Sequence, residues 1–371
     1  MTYDIAIVGA GVLGLAHAYH LGKAGKRVLV IERGPKAQGA SVRNFGMLWP
    51  IGQPPGEAYK TAVRSREIWL DVLKDARLWH AECGSLHLAY HGDEACVLQE
   101  LAESGLYPAR FVTPAEVVGL AKGIRPANLA GALWSETEVN IDPREAVAGL
   151  PGYLTERLGV EFRFGTTALG FERGCLWTSG GVVETKQLLV CGGDDIQTLY
   201  PEAFAAEDVV RCKLQMLRTE PQHGEWRVGP MLAAGLTLAH YKAFEICPSL
   251  PALKERLTRE FPEYLRYGIH VLVSQNGAGE LTLGDSHEYG DAIEPFDKER
   301  IDGLILQYLA TFLEVPRPQL SQRWHGTYLK HKTRPWLIAR PDDGVTLVTG
   351  VGGAGMTLAF GLAEKVVSDD L

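Results

Sequence analysis

No CxxC pair occurs in this chain, and its six cysteines (Cys83, Cys96, Cys175, Cys191, Cys212 and Cys247) lie scattered. That spacing offers neither a zinc site nor a disulfide framework, and it fits reduced thiols in a cytosolic protein. No metal is expected. Long apolar runs are missing as well; the longest are of strand length, so no segment is expected to span a membrane. The N-terminus, MTYDIAIVGAG, carries no basic leader or cleavage site and enters a strand at once. A secretory signal is therefore not expected, and the reading is cytoplasmic. Positive charge is in the minority, with 37 Lys and Arg against 45 Asp and Glu and a formal charge of −8. This balance argues against nucleic acid as a main partner. No internal repeat or low-complexity linker is found.

What is present points to a nucleotide. The 371 residues suffice for a large core and two domains. Glycine is abundant, and it clusters where backbone would have to approach a ligand. The run DIAIV is followed by Gly9-Ala-Gly11-Val12-Leu13-Gly14, then by a helical pattern through Leu15, Ala18, Tyr19 and Leu21. KRVLVIE supplies a second strand ending at Glu32, with Arg33 next. A strand, a glycine turn and a helix start hold a pyrophosphate on backbone N–H groups, and Glu32 stands where a carboxylate accepts from ribose hydroxyls. This unit alone does not choose between NAD and FAD.

Two later segments favour FAD. GVTLVTG reads as a strand, the turn at residues 350–356 (Gly350, Gly352, Gly353, Ala354, Gly355, Met356) follows, and a helix opens at Thr357. A helix N-terminus aimed at a flavin ring stabilises the charge that develops on reduction. Between the two ends, KQLLVCGGDD gives a buried strand with Gly192 and Gly193, and VEFRFGTTALGFERG reads as strands of the same sheet. Each of these turns taken singly can be a plain tight turn.

With these segments in view, the chain resembles the FAD-dependent amine oxidoreductases of the D-amino acid oxidase, glycine oxidase and sarcosine oxidase group. The resemblance runs over nearly the whole length, and its ends are the specific part. It implies an α/β fold, α+β overall: a Rossmann-like FAD-binding domain interleaved with an antiparallel-sheet substrate domain. Residues 1–80, 140–205 and 330–371 are expected to form the first, residues 81–139 and 206–329 the second. A backbone contact to adenine would fall on Ala168. The stretch SVRNFGMLWPIGQPPGE, residues 41–57, is similar to a clade associated with phosphonate metabolism, thought to oxidise aminophosphonates related to 2-aminoethylphosphonate. In the superfamily this loop runs from pyrophosphate to flavin. Ser41 would then donate to a phosphate, and Gly46 and Met47 would bring backbone N–H groups to the ring. Arg43 and Asn44 would touch phosphate, flavin or substrate, or serve as a loop salt bridge and a turn cap.

The substrate domain reads as strands in VVRCKLQMLRTE, LTLAHYKAFEICP, YGIHVLVSQN and GELTLGDSHEYG, and as helix in SLPALKERLTREFPEYLRYG. One basic stretch stands out from the acidic whole: RWHGTYLKHKTRPW, residues 323–336. It is either a solvated loop or an anion site. In the amino-acid oxidases an arginine before the last strand grips the substrate carboxylate, and by spacing that position falls here on Tyr328. The missing fork, with Lys330, His331, Lys332 and Arg334 close by, implies another anion. A phosphonate has up to two charges and three tetrahedral oxygens, and lysines, histidines and hydroxyls can surround it where a flat carboxylate suits arginine. Tyr328, Lys330 and His331 are the substrate-binding candidates, with Arg43 and Asn44. His240, Tyr241, His270 and His287 lie on the substrate sheet; His287, where a strand ends, is the leading catalytic candidate beside Met47.

Two departures from the family pattern matter. The cysteine that tethers FAD in sarcosine oxidase relatives corresponds to a position near Gly326, so the FAD is expected to be non-covalent. The oxygen-activating lysine of those relatives is replaced by Thr282 in LTLG, so the electron acceptor is O2 or another acceptor. The expected reaction takes hydride from the carbon next to nitrogen of a small anionic amine, and water then hydrolyses the imine. The hydride step demands no strong base. The alternatives are an oxidase of carboxylate amino acids and a flavin-holding subunit without an amine pocket.

Overall fold

The computed structural model describes residues 2–370. Two large sheets carry the fold. In the first, the strand Tyr3–Val8 lies in the middle, parallel to Val28–Glu32 on one side and to the end of Gly181–Val190 on the other. Glu161–Phe164 and Val345–Thr349 extend it in parallel at either flank. Strands buried on both faces need continuous apolar runs, as VLVIE and VTLVT supply. The helix Val12–Lys23 packs against both Gly355–Asp370 and Pro143–Leu158. The start of Gly181–Val190 continues outward and pairs antiparallel with Cys175–Thr178, which pairs with Ala168–Glu172.

The second sheet has nine strands and is organised by one of them, Val209–Thr219. Leu320–His331 runs antiparallel along its whole length. The opposite edge is met by Leu281–Gly284 and then Glu288–Gly290. Between the pairs Met216↔Gly284 and Lys213↔Glu288, three steps on the long strand face four on its neighbour. That extra residue is a bulge spanning Asp285 to His287, a device that re-aims side chains at the edge of a sheet. Ser286 Oγ fills the gap by accepting the Gln215 amide at 3.1 Å. A small sheet of Met47–Leu48, Val139–Ile141 and His80–Ala81 joins the two large ones.

One expectation is corrected. LTLAHYKAFEICP is not a strand but two short helical turns, Leu236–His240 and Lys242–Ile246. Thr237 Oγ1 donates to the Ala234 carbonyl to close the first turn, and the Tyr241 amide donates to the Thr237 carbonyl at 3.1 Å. The turns allow His240 and Tyr241, neighbours in sequence, to face the same space.

Where the sheets meet, the buried carboxylate of Glu138 gathers three donors: the Ile51 amide at 3.1 Å, Ser85 Oγ at 3.0 Å and Thr137 Oγ1 at 2.7 Å. Glu138→Ala orphans all three, and a buried donor without an acceptor costs about 1–3 kcal/mol. A clear fall in melting temperature is expected. An unchanged thermal midpoint would show that the contact is dispensable.

Candidate active site

The glycine turn after the first strand is built by contact. Gly9 has φ of +101°, and a Cβ there would sit 2.4 Å from the Cys191 carbonyl oxygen. A Cβ on Gly14 would sit 1.9 Å from the Gly9 carbonyl oxygen. Helix Val12–Lys23 thereby seats tightly on the sheet with its N-terminus at the strand ends. Glu32 holds the turn open, accepting the Ala10 amide at 3.0 Å and the Gly34 amide at 2.9 Å. Ser41 Oγ accepts the Val12 amide at 2.9 Å, so it sits at the helix N-terminus where a phosphate would be held.

A single cavity of about 730 Å³ starts at this turn and ends between the two sheets. Of the residues expected to hold the nucleotide, Gly9, Gly11, Val12, Leu13, Glu32, Arg33, Ser41, Arg43, Asn44 and Met47 line it. So do Ala168, Gly192, Gly193 and the whole turn from Gly350 to Thr357. Gly14 and Gly46 do not; both are packing positions, Gly46 with φ of +75° and a would-be Cβ 1.9 Å from the Ile141 carbonyl oxygen. Arg33 pairs with Asp195 at 2.8 Å. Asn44 is occupied within its loop, donating to the Ala40 and Ser41 carbonyls and accepting the Gly46 amide. Arg43 donates to the His325 carbonyl at 3.2 Å.

The residues suit FAD. The helix N-terminus and the bare backbone of Gly193, with open space within 4 Å, form a cradle for a pyrophosphate. The second helix start, Gly355–Asp370, opens on the same cavity where Met47 lies. Bound there, FAD would rest on the first turn by its pyrophosphate and meet the second turn with its ring.

At the far end the second sheet lays out the polar chemistry. Tyr289 and Tyr328 flank Cys212 on neighbouring strands. Lys330 follows Tyr328 on the same face, with Nζ 3.5 Å from the Tyr289 hydroxyl and 5.3 Å from its ring centre. Most of the basic stretch is neutralised elsewhere. Arg323 pairs with Asp302, His325 with Asp297, Lys332 with Asp208 and Arg334 with Glu207. His331 is buried in the following turn, where Nδ1 accepts the amides of Thr333 and Arg334 and Nε2 accepts the Arg334 Nε–H at 3.0 Å, with Glu207 3.6 Å away. Lys330 alone in this group has no carboxylate within 4 Å among the described residues, and burial lowers its pKa from the ordinary lysine value.

Above this row, His240, His270 and His287 crowd together with ring centres 3.8, 4.5 and 4.9 Å apart. Each offers a ring nitrogen within 4.8 Å of the others, but the His270 and His287 rings lie 20° from parallel, stacked rather than turned edge-on to one point. His287 Nδ1 donates to the Gly268 carbonyl at 3.0 Å, which leaves a lone pair on Nε2. Burial pushes the His287 pKa down to about 4 and that of His270 well below the ordinary imidazole value, so both rings are neutral. Asp285 joins them, Oδ1 3.5 Å from His270 Nε2 and Oδ2 3.8 Å from His287 Nε2. Asp285, Tyr289 and Lys242 were not singled out in the sequence. The alternation Asp285, His287, Tyr289 was a usable signal, since residues two apart share a strand face.

A nucleotide cradle on a parallel sheet, opening onto a polar pocket on an antiparallel one, defines a dinucleotide-dependent oxidoreductase. The chain belongs to the FAD dependent oxidoreductase family, whose model matches residues 4–368. It is 35% identical over 381 residues to a glycine oxidase of Bacillus licheniformis, covering 98% of this chain and 92% of that one. It is 24% identical to the gamma-glutamylputrescine oxidoreductase of Escherichia coli, over 100% of this chain and 83% of that one. Among solved structures, glycine oxidase from Geobacillus kaustophilus shares the fold at a TM-score of 0.78 and 19% identity, over 99% of this chain and 94% of that one. The protein is therefore an FAD-dependent oxidoreductase. Among the described residues no helix is long and apolar enough to cross a membrane.

The two glycines of the first turn are expected to separate. Gly14→Ala drives a methyl into the Gly9 carbonyl and should sharply lower both FAD content and melting temperature. Gly11→Ala meets only the Ser41 side chain, at 3.0 Å, and should keep the fold while weakening FAD retention. Absorbance at the flavin maximum of each purified variant, with its thermal midpoint, checks this; wild-type FAD content in both would mean that the turn does not carry the nucleotide.

Proposed function

We propose that this chain oxidises a C–N bond of a small anionic amine, an aminophosphonate related to 2-aminoethylphosphonate with or without an N-methyl group, using non-covalent FAD. The observation that carries the reading is Lys330. It is the one cation of the basic stretch without a carboxylate partner among the described residues, half-buried beside the Tyr289 hydroxyl in the cavity wall. An ammonium held in a partly apolar wall needs an anion, and a tetrahedral one can be met by Lys330 with the hydroxyls of Tyr289 and Tyr328. Lys242, exposed at the cavity edge, adds positive charge near it.

Bound FAD supplies the acceptor for hydride leaving the carbon next to nitrogen. The chain's own residues do the rest. The anion site fixes one end of the substrate, and the buried wall of Trp49, Leu272 and Met216 excludes water from the reacting carbon. Water entering after oxidation hydrolyses the imine to a carbonyl compound and an amine or ammonia.

A second reading, a carboxylate amino acid as substrate, draws on the 35% identity to a glycine oxidase. Arg43 is the residue with the right fork, but its guanidinium is engaged with the His325 carbonyl.

Anaerobic mixing with 2-aminoethylphosphonate, its N-methyl derivative, glycine and sarcosine separates the readings by which amine bleaches the flavin. Lys330→Ala is expected to weaken the aminophosphonate by about ten- to a hundred-fold with FAD content unchanged, the loss of one charge-assisted hydrogen bond. Equal turnover of the carboxylates, with affinity unmoved by Lys330→Ala, would sink the phosphonate assignment. Acid precipitation should release the yellow colour to the supernatant; colour retained in the pellet would mean a covalent link.

A further inference from the structure

The buried carboxyl of Asp285 has no lysine or arginine partner among the described residues. The residue is 5% exposed, it borders the cavity, and its Oδ1 makes no hydrogen bond. Both nitrogens of His270, 2% exposed, are also without partners. No lysine or arginine lies within 4 Å of Asp285 among the described residues; its near polar neighbours are His270 and His287. Tyr241, Tyr289, Tyr328 and Cys212 complete the titratable groups that feel its charge. The position is not loose: the Asp285 amide donates to the His270 carbonyl at 2.9 Å, and the bulge at Asp285–His287 aims the side chain into the cavity.

An ionised carboxylate buried without a cation is costly, and orphaned donors and acceptors beside it add to the cost. The molecule that fills this space must therefore bring a positive charge with N–H donors. A primary or secondary ammonium does so. It is also the form in which an amine reaches the enzyme near neutral pH, and it cannot give up hydride, because its nitrogen has no lone pair.

We propose that Asp285 receives the substrate's ammonium group and removes its proton, with His270 and His287 orienting the carboxylate. One N–H bond breaks, its electron pair stays on nitrogen, and the proton bonds to Asp285. No oxidant takes part in this step. Burial favours the transfer, since a low-dielectric site disfavours both charged partners and prefers the neutral amine with the neutral acid. The same burial lifts the Asp285 carboxyl well above the usual carboxylate range. The free lone pair then allows oxidation at the adjacent carbon. This inference rests on the amine-oxidation reading and deepens it: Lys330 takes the anionic end, Asp285 the cationic end.

Charge isosteres test it. Propylphosphonate is 2-aminoethylphosphonate with CH3 in place of NH3+, and propanoate stands in the same relation to glycine. Calorimetric titration of the dithionite-reduced holoenzyme should show the amine of the productive pair bound about ten- to a hundred-fold more tightly than its isostere, with that preference lost in Asp285→Asn. In stopped-flow, wild-type flavin bleaching at saturating amine should be flat from about pH 7 to 9, whereas the variant should rise about tenfold per pH unit, because its amine must lose the proton to solvent. A variant with wild-type preference and a flat profile overturns the inference. Should the variant fail to fold, a tenfold rise per pH unit in the wild type itself overturns it. One zinc ion per chain that survives dialysis and is lost in His270→Ala also overturns it, since the missing cation is then a metal. If no amine of either pair bleaches the flavin, the amine-oxidation reading itself falls.

Discussion

The site depends on the pairing of Leu320–His331 with Val209–Thr219 along its full length. That ladder fixes Tyr328 and Lys330 along one edge of Val209–Thr219, across from the bulged edge bearing Asp285, His287 and Tyr289, with Cys212 between the two tyrosines. The same strand continues to the nucleotide side. Lys330 bridges to Val351, the His331 amide donates to the Gly350 carbonyl, and Gly352 packs against the Lys330 stem. A would-be Cβ on Gly353 lies 3.6 Å from the Tyr328 hydroxyl. Glycine is needed on that turn at Gly350 and Gly352, where φ is +69° and +61°. One ladder thus ties Tyr328 and Lys330 to the second glycine turn, so neither can shift without the other.

Local signals carried the parts of this architecture that local forces build. The first strand, glycine turn and helix were legible because a tight turn, a helix start and an acid at fixed spacing have one physical use. The strand Val345–Thr349 and the turn after it were legible for the same reason. The basic stretch was visible as charge, but its meaning was not. Glu207, Asp208, Asp297 and Asp302, which quench Lys332, Arg334, His325 and Arg323, are brought in by tertiary contacts that sequence spacing does not reveal. Lys330 is singled out only by subtraction. His331 stood in an anion cluster by proximity, and the fold turned it inward to cap the 331–335 turn.

The misread segment 236–247 is instructive for the opposite reason. Its alternation of apolar and polar residues is compatible with a strand, yet Thr237 offers a hydroxyl that closes a helical turn instead. Asp285 was not read from the sequence, because its burial depends on tertiary contacts that spacing does not reveal. Burial of that acid comes from the bulge and from three histidines drawn from separate segments.

The choice of neighbours around Asp285 carries its own logic. A lysine or arginine in contact would hold the carboxylate ionised and repel an incoming ammonium, leaving a satisfied but inert pair. Neutral imidazoles shape and polarise the space without answering its charge, so the vacancy is specific to a cation that also donates N–H bonds. Lys330, beside Tyr289 and without a carboxylate partner among the described residues, is the group proposed for the other end of the ligand. On the proposed reading, with Asp285 and Lys330 each lacking a protein counter-ion, a zwitterion would neutralise both at once. A simple anion or a simple amine satisfies one end and leaves the other desolvated and uncompensated, which is how a pocket of this kind discriminates.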